Sequence, residues 1–310
     1  MQRACKSLDE VVFEILQIVK CDKAVSCGND NAEYFFRGEQ RNYGHPGSAI
    51  LDTAFDSFLD REEAYWKNER DLYEEAMRLN VASFADDRTM CERITRMQHY
   101  GLPTRFADIS VNAFLPALFA CGGCSDTPDK YANDDGFIRI VKVAKHKMKS
   151  FTSDIIVAIS HLPLVDAENI NPEKPQRDVG YLVYEAKNER PAFYRKEEDE
   201  WLHERLCNEL GQVWAFKPLM NNPRIRNQGG LFLAFGCRNG KEPLHPSFSP
   251  DDYHKSEQPS YGVAQVGFVR IDAKAKPAII DQLRIFGMTE ESVYPELSDV
   301  CRKIGERFKK

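Results

Sequence analysis

One eleven-residue stretch, Gln98-His99-Tyr100-Gly101-Leu102-Pro103-Thr104-Arg105-Phe106-Ala107-Asp108, constrains the chain more than any other. Gly101 and Pro103 break regular structure: glycine tolerates positive φ, while proline fixes its own φ and biases Leu102 away from the helical region. A helical pattern precedes the break, with Met90, Ile94 and Met97 at four- and three-residue steps and Asp87 as its expected cap. An almost uncharged segment, 109–124, follows, with Ser110 as the expected N-cap of a helix over 111–121. Pro116 should kink that helix or delay its start. The result is a sharp turn between two apolar elements that carries a His, a Thr, an Arg and an Asp. Each of those costs free energy if buried without a partner. They therefore line a cleft or satisfy one another inside the protein.

The rest of the pattern is that of an α+β chain. Helices are expected over 8–19 behind the Ser7…Glu10 capping box, over 60–80, over 200–213, over 277–286 and over 295–308. Loops are expected over 21–31, 41–47, 124–135 and 188–199, and strands over 33–38, 136–143, 180–184, 231–235 and 262–271. Segment 153–159 reads equally as helix or strand. In the first strand, alternation places Phe35 and Arg37 on one face, so this Arg shares a face with a core residue or lines a pocket beside it. A second dense motif, Asn222 to Phe232, sets Arg224, Arg226 and Gln228 before Gly229-Gly230. Its glycines allow close backbone approach, or simply form the turn into the strand.

Composition removes several function classes. A net charge of −6 and a pI near 5.7 disfavour a dedicated nucleic-acid binder, although Arg224, Arg226, Lys303, Lys309 and Lys310 are available for phosphates. No run approaches the roughly 18 uncharged residues of a membrane span. Asp9, Glu10 and Glu14 interrupt the start as a signal peptide, so a cytoplasmic protein is expected. Nine scattered cysteines do not form a disulfide framework. The Cys121–Cys124 CxxC lacks a second pair, and the seven histidines are dispersed, so no metal site is expected.

Three pieces, in order, resemble the FRG-domain family. They are Phe36-Arg37-Gly38 with Glu39-Gln40, the run from Gln98 to Asp108 followed by Asn112 and Leu118-Phe119-Ala120, and Arg226 to Phe232 up to a short offset. Phe286-Gly287 and Tyr294-Pro295-Glu296-Leu297 fit the family's closing pattern. Phe106 and Ala107 stand where the family usually has Leu, which keeps both positions apolar. The resemblance spans about 33–308 and implies a bacterial or phage-associated protein with a polar cleft. The expected organisation is a single α+β domain with a mixed, mostly antiparallel sheet flanked by helices. Residues 1–32 would form an N-terminal helix and loop packed on an FRG domain of 33–310 that carries a C-terminal helical extension.

The order of the motifs is like that of the ADP-ribosyltransferases, which implies NAD as a substrate. Cleaving the nicotinamide–ribose bond builds positive charge on the ribose, so such a site needs a diphosphate clamp, an aromatic surface and hydroxyl partners. Arg37 and Arg105 suit the diphosphate through bidentate pairing, Tyr100 a ring, and His99 and Thr104 the ribose hydroxyls. Asp108 would orient Arg105 or His99, while Arg226 and Gln228 complete the ligand contacts. Arg37, His99 and Asp108 are the candidate catalytic residues. Gln228 cannot be a carboxylate base, so the charge must come from Asp108 or Glu39. The other readings are a nucleic-acid-interacting protein, a recognition module that binds a nucleotide or partner without turnover, and a purely structural Arg37–Asp108 network with His99 and Gln228 around it.

Overall fold

The structure is a computed structural model that describes residues 3–25, 31–42, 63–123, 128–164, 208–238, 242–244, 248–258 and 260–294. The helix expected over 295–308, the strand over 180–184, the loop over 188–199, most of the helix over 200–213, and Lys303, Lys309, Lys310 and Cys124 lie outside these residues.

In chain order the elements are α1 (Leu8–Val25), β1 (Ala32–Glu39), α2 (Glu63–Lys67), α3 (Glu69–Leu79), α4 (Met90–His99), β2 (Phe106–Ser110), α5 (Phe114–Ala120), β3 (Gly136–Ala144), β4 (Met148–Ser150) and α6 (Asp154–His161). They continue with β5 (Val213–Lys217), α7 (Pro223–Gln228), β6 (Gly230–Phe235), β7 (Cys237–Arg238), β8 (Glu242–Pro243), β9 (Val263–Ile271), α8 (Lys276–Ile285) and α9 (Glu290–Val293). Seven strands form one sheet in the order β4-β5-β6-β2-β1-β3-β9, while β7 and β8 pair with each other. Only β4–β5 is parallel; the other pairs of the large sheet are antiparallel. The chain is thus α+β with a mixed, mostly antiparallel sheet.

The sheet has a seam. Strand β1 pairs with β3 along its whole length, from Ala32↔Ala144 to Glu39↔Phe137. On its other side it meets β2 at one pair, Phe36↔Ser110. Two helical groups cover the same face of the sheet, one on each side of that seam. Helices α1, α5 and α8 bury Val11, Ile15, Leu118, Ile279 and Leu283 against Ile138, Ile140, Val269 and Ile271. Helices α3, α4 and α6 bury Tyr73, Ile94, Met97 and Ile156 against Phe106, Trp214, Phe216 and Phe232. The opposite face packs Phe35, Ala107, Ile109, Val141, Leu233 and Phe235 with Phe248. An open seam between two helix layers is where a cleft can form.

Local chemistry explains several departures from the expected pattern. Helix α4 is capped by Thr89, whose hydroxyl accepts from Glu92 N while Glu92 returns the bond to Thr89 N. Asp87 instead takes the Arg96 guanidinium with both oxygens, at 2.6 and 2.7 Å. Ser110 ends β2 rather than capping a helix, and α5 starts at Phe114, with Asn112 Oδ1 accepting from Phe114 N at 2.9 Å. Pro116 then lies in the first turn, where its missing N–H is not needed. Helix α1 runs on to Val25 through the expected loop. Segment 222–229 is a helix with Asn222 at the N-cap, Pro223 behind it and Gly229 at φ 54° closing it.

Candidate functional site

The first motif supplies the wall of a cleft on the β1 side. Burial along β1 alternates, with Phe35, Arg37 and Glu39 inward. Phe36, on the other face, packs against the α1/α5/α8 layer. Gly38 is required by a close approach: a Cβ there would overlap the backbone carbonyl of Pro116. A methyl group would push α5 off the strand.

The Gln98–Asp108 stretch supplies the opposite wall. Gly101 (φ 86°) ends α4 in a Schellman arrangement, with Leu102 N donating to Met97 O and Gly101 N to Gln98 O, both at 3.0 Å. This tight end sets Gln98 and His99 on the last turn, beside the start of β2. Strand alternation then brings Asp108 to the helix-covered face with Phe106. The His99 ring, with its side chain 2% exposed, packs edge-on to Phe232 at 5.2 Å.

Between the walls lies a cleft of about 300 Å³, lined by Phe36 to Gln40, Gln98, His99, Gly101, Asp108 to Ser110, Leu115, Pro116, Phe119, Gln228, Gly230 and Tyr294. Its polar side holds Asp108, whose side chain is 39% exposed. Asp108 Oδ1 is buried, lacks a hydrogen-bond partner and stands 3.9 Å from His99 Nδ1. Asp108 Oδ2 accepts from Gln98 Nε2 at 3.4 Å. Arg37 reaches across the seam and donates to the Asp108 backbone carbonyl at 2.9 Å. Behind it, Glu39 sits 3.6 Å from Arg37 and 3.0 Å from Arg139, which donates on to Gln265 at 2.7 Å. The apolar side is made of Phe36, Ile109, Leu115, Pro116 and Phe119. Lys276, its ammonium pushed below its ordinary pKa by burial, ties Gln40 O to the cleft edge at 2.8 Å.

The structure therefore gathers Arg37, His99, Asp108 and Gln228 around one space and places the other expected contacts elsewhere. Arg105 is not at the cleft. Its guanidinium is buried in a bidentate pair with Glu69, both bonds 2.8 Å, and also donates to Gly236 O. Asp108 consequently does not orient Arg105. Thr104 is buried, donating to Gln98 Oε1 at 2.6 Å. Tyr100 is 53% exposed; the Arg224 guanidinium lies 4.4 Å from its ring and 4.4 Å from the Tyr294 ring, and donates to His99 O at 3.1 Å. Arg226 is exposed and away from the lining. Gln98, Ser110 and the α5 residues were not assigned from sequence, although Gln98 stood inside the motif. Its partnership with Thr104 needed only the turn between them.

Among the described residues no group of three metal-ligating side chains is present, and no helix is long and apolar enough to cross a membrane. Burial pushes the Cys121 thiol up to about 12, so it is not a thiolate at neutral pH.

A mostly antiparallel α+β sheet with a polar cleft at a parted seam is the class that fold and site define. Residues 32–129 match the family model of the FRG domain, a segment that runs from β1 through the cleft-lining α5. No curated protein and no solved structure matches the chain.

Proposed function

We propose that the cleft holds the ribosyl end of a nucleotide and that the chain is an NAD-consuming enzyme, acting at the N-glycosidic bond as a glycohydrolase or ADP-ribosyltransferase. The observation that carries this reading is Asp108: a carboxylate open to the cleft, beside an imidazole and an amide, facing an apolar wall. About 300 Å³ is at the small end of ligand sites and suits a nucleoside-sized half of a dinucleotide.

In the reaction the bond between C1′ and the nicotinamide nitrogen breaks, and its electron pair leaves with the neutral nicotinamide. Positive charge grows on the ribose, and a fixed carboxylate next to it lowers the barrier. Water or an acceptor nucleophile then bonds to C1′, and its proton passes to Asp108. The apolar wall carries the departing ring. With Arg105 held by Glu69, the diphosphate is left to Arg37, and with Gln228 neutral, the charge is left to Asp108.

A recognition module that binds without turnover is the second reading. It is favoured by the neutral Gln228 and by Arg37 being held in place by Asp108 O and Glu39. Incubating the protein with NAD and measuring nicotinamide release, beside a thermal-shift titration, separates the two. The enzyme reading expects release that falls about 100-fold or more in Asp108→Asn while the variant stays folded. An NAD-dependent rise in melting temperature without release supports the module. The absence of both release and a rise in melting temperature would discard NAD as the ligand of the cleft.

A further inference from the structure

We infer that Arg224 is a positioning residue: it holds the Tyr294 ring on the cleft, as part of the surface a ligand meets. The inference rests on the cleft reading above, but the hold itself does not depend on NAD as the ligand.

Tyr294 lines the cleft from a segment with little structure of its own. Helix α8 ends at Gly287 (φ 74°), where Met288 N donates to Leu283 O at 3.1 Å. The chain then makes α9, which is four residues long and too short to persist on local hydrogen bonds alone. Thr289 and Ser292 cap it reciprocally, and Val293 is buried in the α1/α5/α8 layer. Tyr294 follows, half-buried at the edge of that layer.

Arg224 reaches this ring from a fixed base. At the start of α7, Asn222 Oδ1 accepts from Arg224 N at 2.8 Å. The guanidinium donates to His99 O at 3.1 Å, an end carbonyl of α4, where the helix dipole favours a cation. It also lies 4.4 Å from the Tyr100 ring centroid and 4.4 Å from that of Tyr294. Capping α4 would need only the first of these contacts. The contact with Tyr294 does more, because it ties the α9 turn to the Gln98–Asp108 wall, and both His99 and Tyr294 line the cleft. Among the described residues Tyr294 is the tyrosine in that lining, whereas Tyr100 is outside it. A ring held in place beforehand costs less to bind against than one ordered by the ligand.

The test is hydrogen exchange at the Ser292, Val293 and Tyr294 amides, which donate to Thr289 O and Glu290 O. Amides of β1 and β3 serve as the internal reference. Arg224→Met should speed exchange in the turn about tenfold and leave the reference unchanged. Tyr294→Leu should do the same, which guards against an Arg224→Met variant that fails to fold. Tyr294→Phe keeps the ring and should exchange at the starting rate. Unchanged exchange in folded Arg224→Met and Tyr294→Leu would overturn the inference, and so would equal acceleration in Tyr294→Phe. With NAD as the probe, Arg224→Met should raise KM about threefold or more and leave kcat near its starting value. An unmoved KM, or a fall in kcat instead, would overturn the role of Tyr294 at the ligand. If the unaltered protein neither binds nor cleaves NAD, the NAD reading falls, and exchange alone decides whether Arg224 holds Tyr294.

Discussion

Arg37 and Arg105 come from the two motifs that dominate the sequence, and both are buried, yet they occupy opposite situations. Arg105 is closed off: Glu69, the first residue of α3, meets it fork to fork, and Gly236 O takes a further bond. Arg37 stands at the seam, bonded to a main-chain carbonyl and next to Glu39, with one side on the cleft. A guanidinium enclosed by protein partners braces the fold; one that lines a cavity also borders that space. What separates them is a carboxylate 36 residues upstream, in a helix whose other charges face solvent.

The largest effect is expected on the closed side. Arg105→Ala leaves the buried Glu69 without its bidentate partner and should cost about 3–5 kcal/mol in urea denaturation, whereas Arg105→Met with Glu69→Leu should recover most of it. A double variant as unstable as the single one would break the contrast.

A third buried cation sharpens it. Lys147 is fully buried with neutral partners, Gln212 Oε1 at 2.5 Å, Val213 O and the Trp214 ring at 4.0 Å, and burial pushes its pKa down from 10.5 to about 7. Between those values the unfolded chain binds more protons than the folded one, so stability rises with pH across pH 7 to 10.5. Lys147→Met should flatten that rise in melting temperature and stabilise the protein at pH 7, by an amount on the order of a few kcal/mol. An unchanged slope would mean that Lys147 is no strain on the fold.

On the open side, Arg37→Ala should cost less stability, about 1.5–3 kcal/mol for a charged hydrogen bond, but remove the NAD-dependent rise in melting temperature. Retention of that rise would place the ligand elsewhere. The smallest effect belongs to Tyr100→Ala: an exposed ring on Arg224 should be worth about 0.5–1 kcal/mol. Under the cleft reading it should leave nicotinamide release near its starting level.

What the sequence revealed follows from where each signal is stored. Period-two alternation placed β1 and the inward side of Arg37, because strand direction is local. The Gly101–Pro103 break marked the end of α4 for the same reason. The roles of Arg105, Tyr100 and Arg226 depended on partners or on burial that no neighbouring residue encodes. Helix α7 was visible in principle through Asn222, Pro223 and Gly229, but the glycines were read as a site of close backbone approach or as a turn into the strand, not as a helix end. Strand β5, Val213–Lys217, was obscured because apolar spacing ran into it from the preceding helical pattern. For Asp87, two nearby candidates competed for one cap, and Thr89 with Glu92 satisfied more orphan amides.

The contact of Gly38 with Pro116 has a consequence for how this site can vary. Where the two elements touch, the cleft boundary is main chain, and main chain presents the same carbonyls and amides whatever the side chains do. Point substitutions therefore have little purchase on that surface except to disrupt it. Changes in what the cleft accepts have to be written on the side chains around it, at positions such as Phe119 and Tyr294, leaving an inherited floor beneath an adjustable rim.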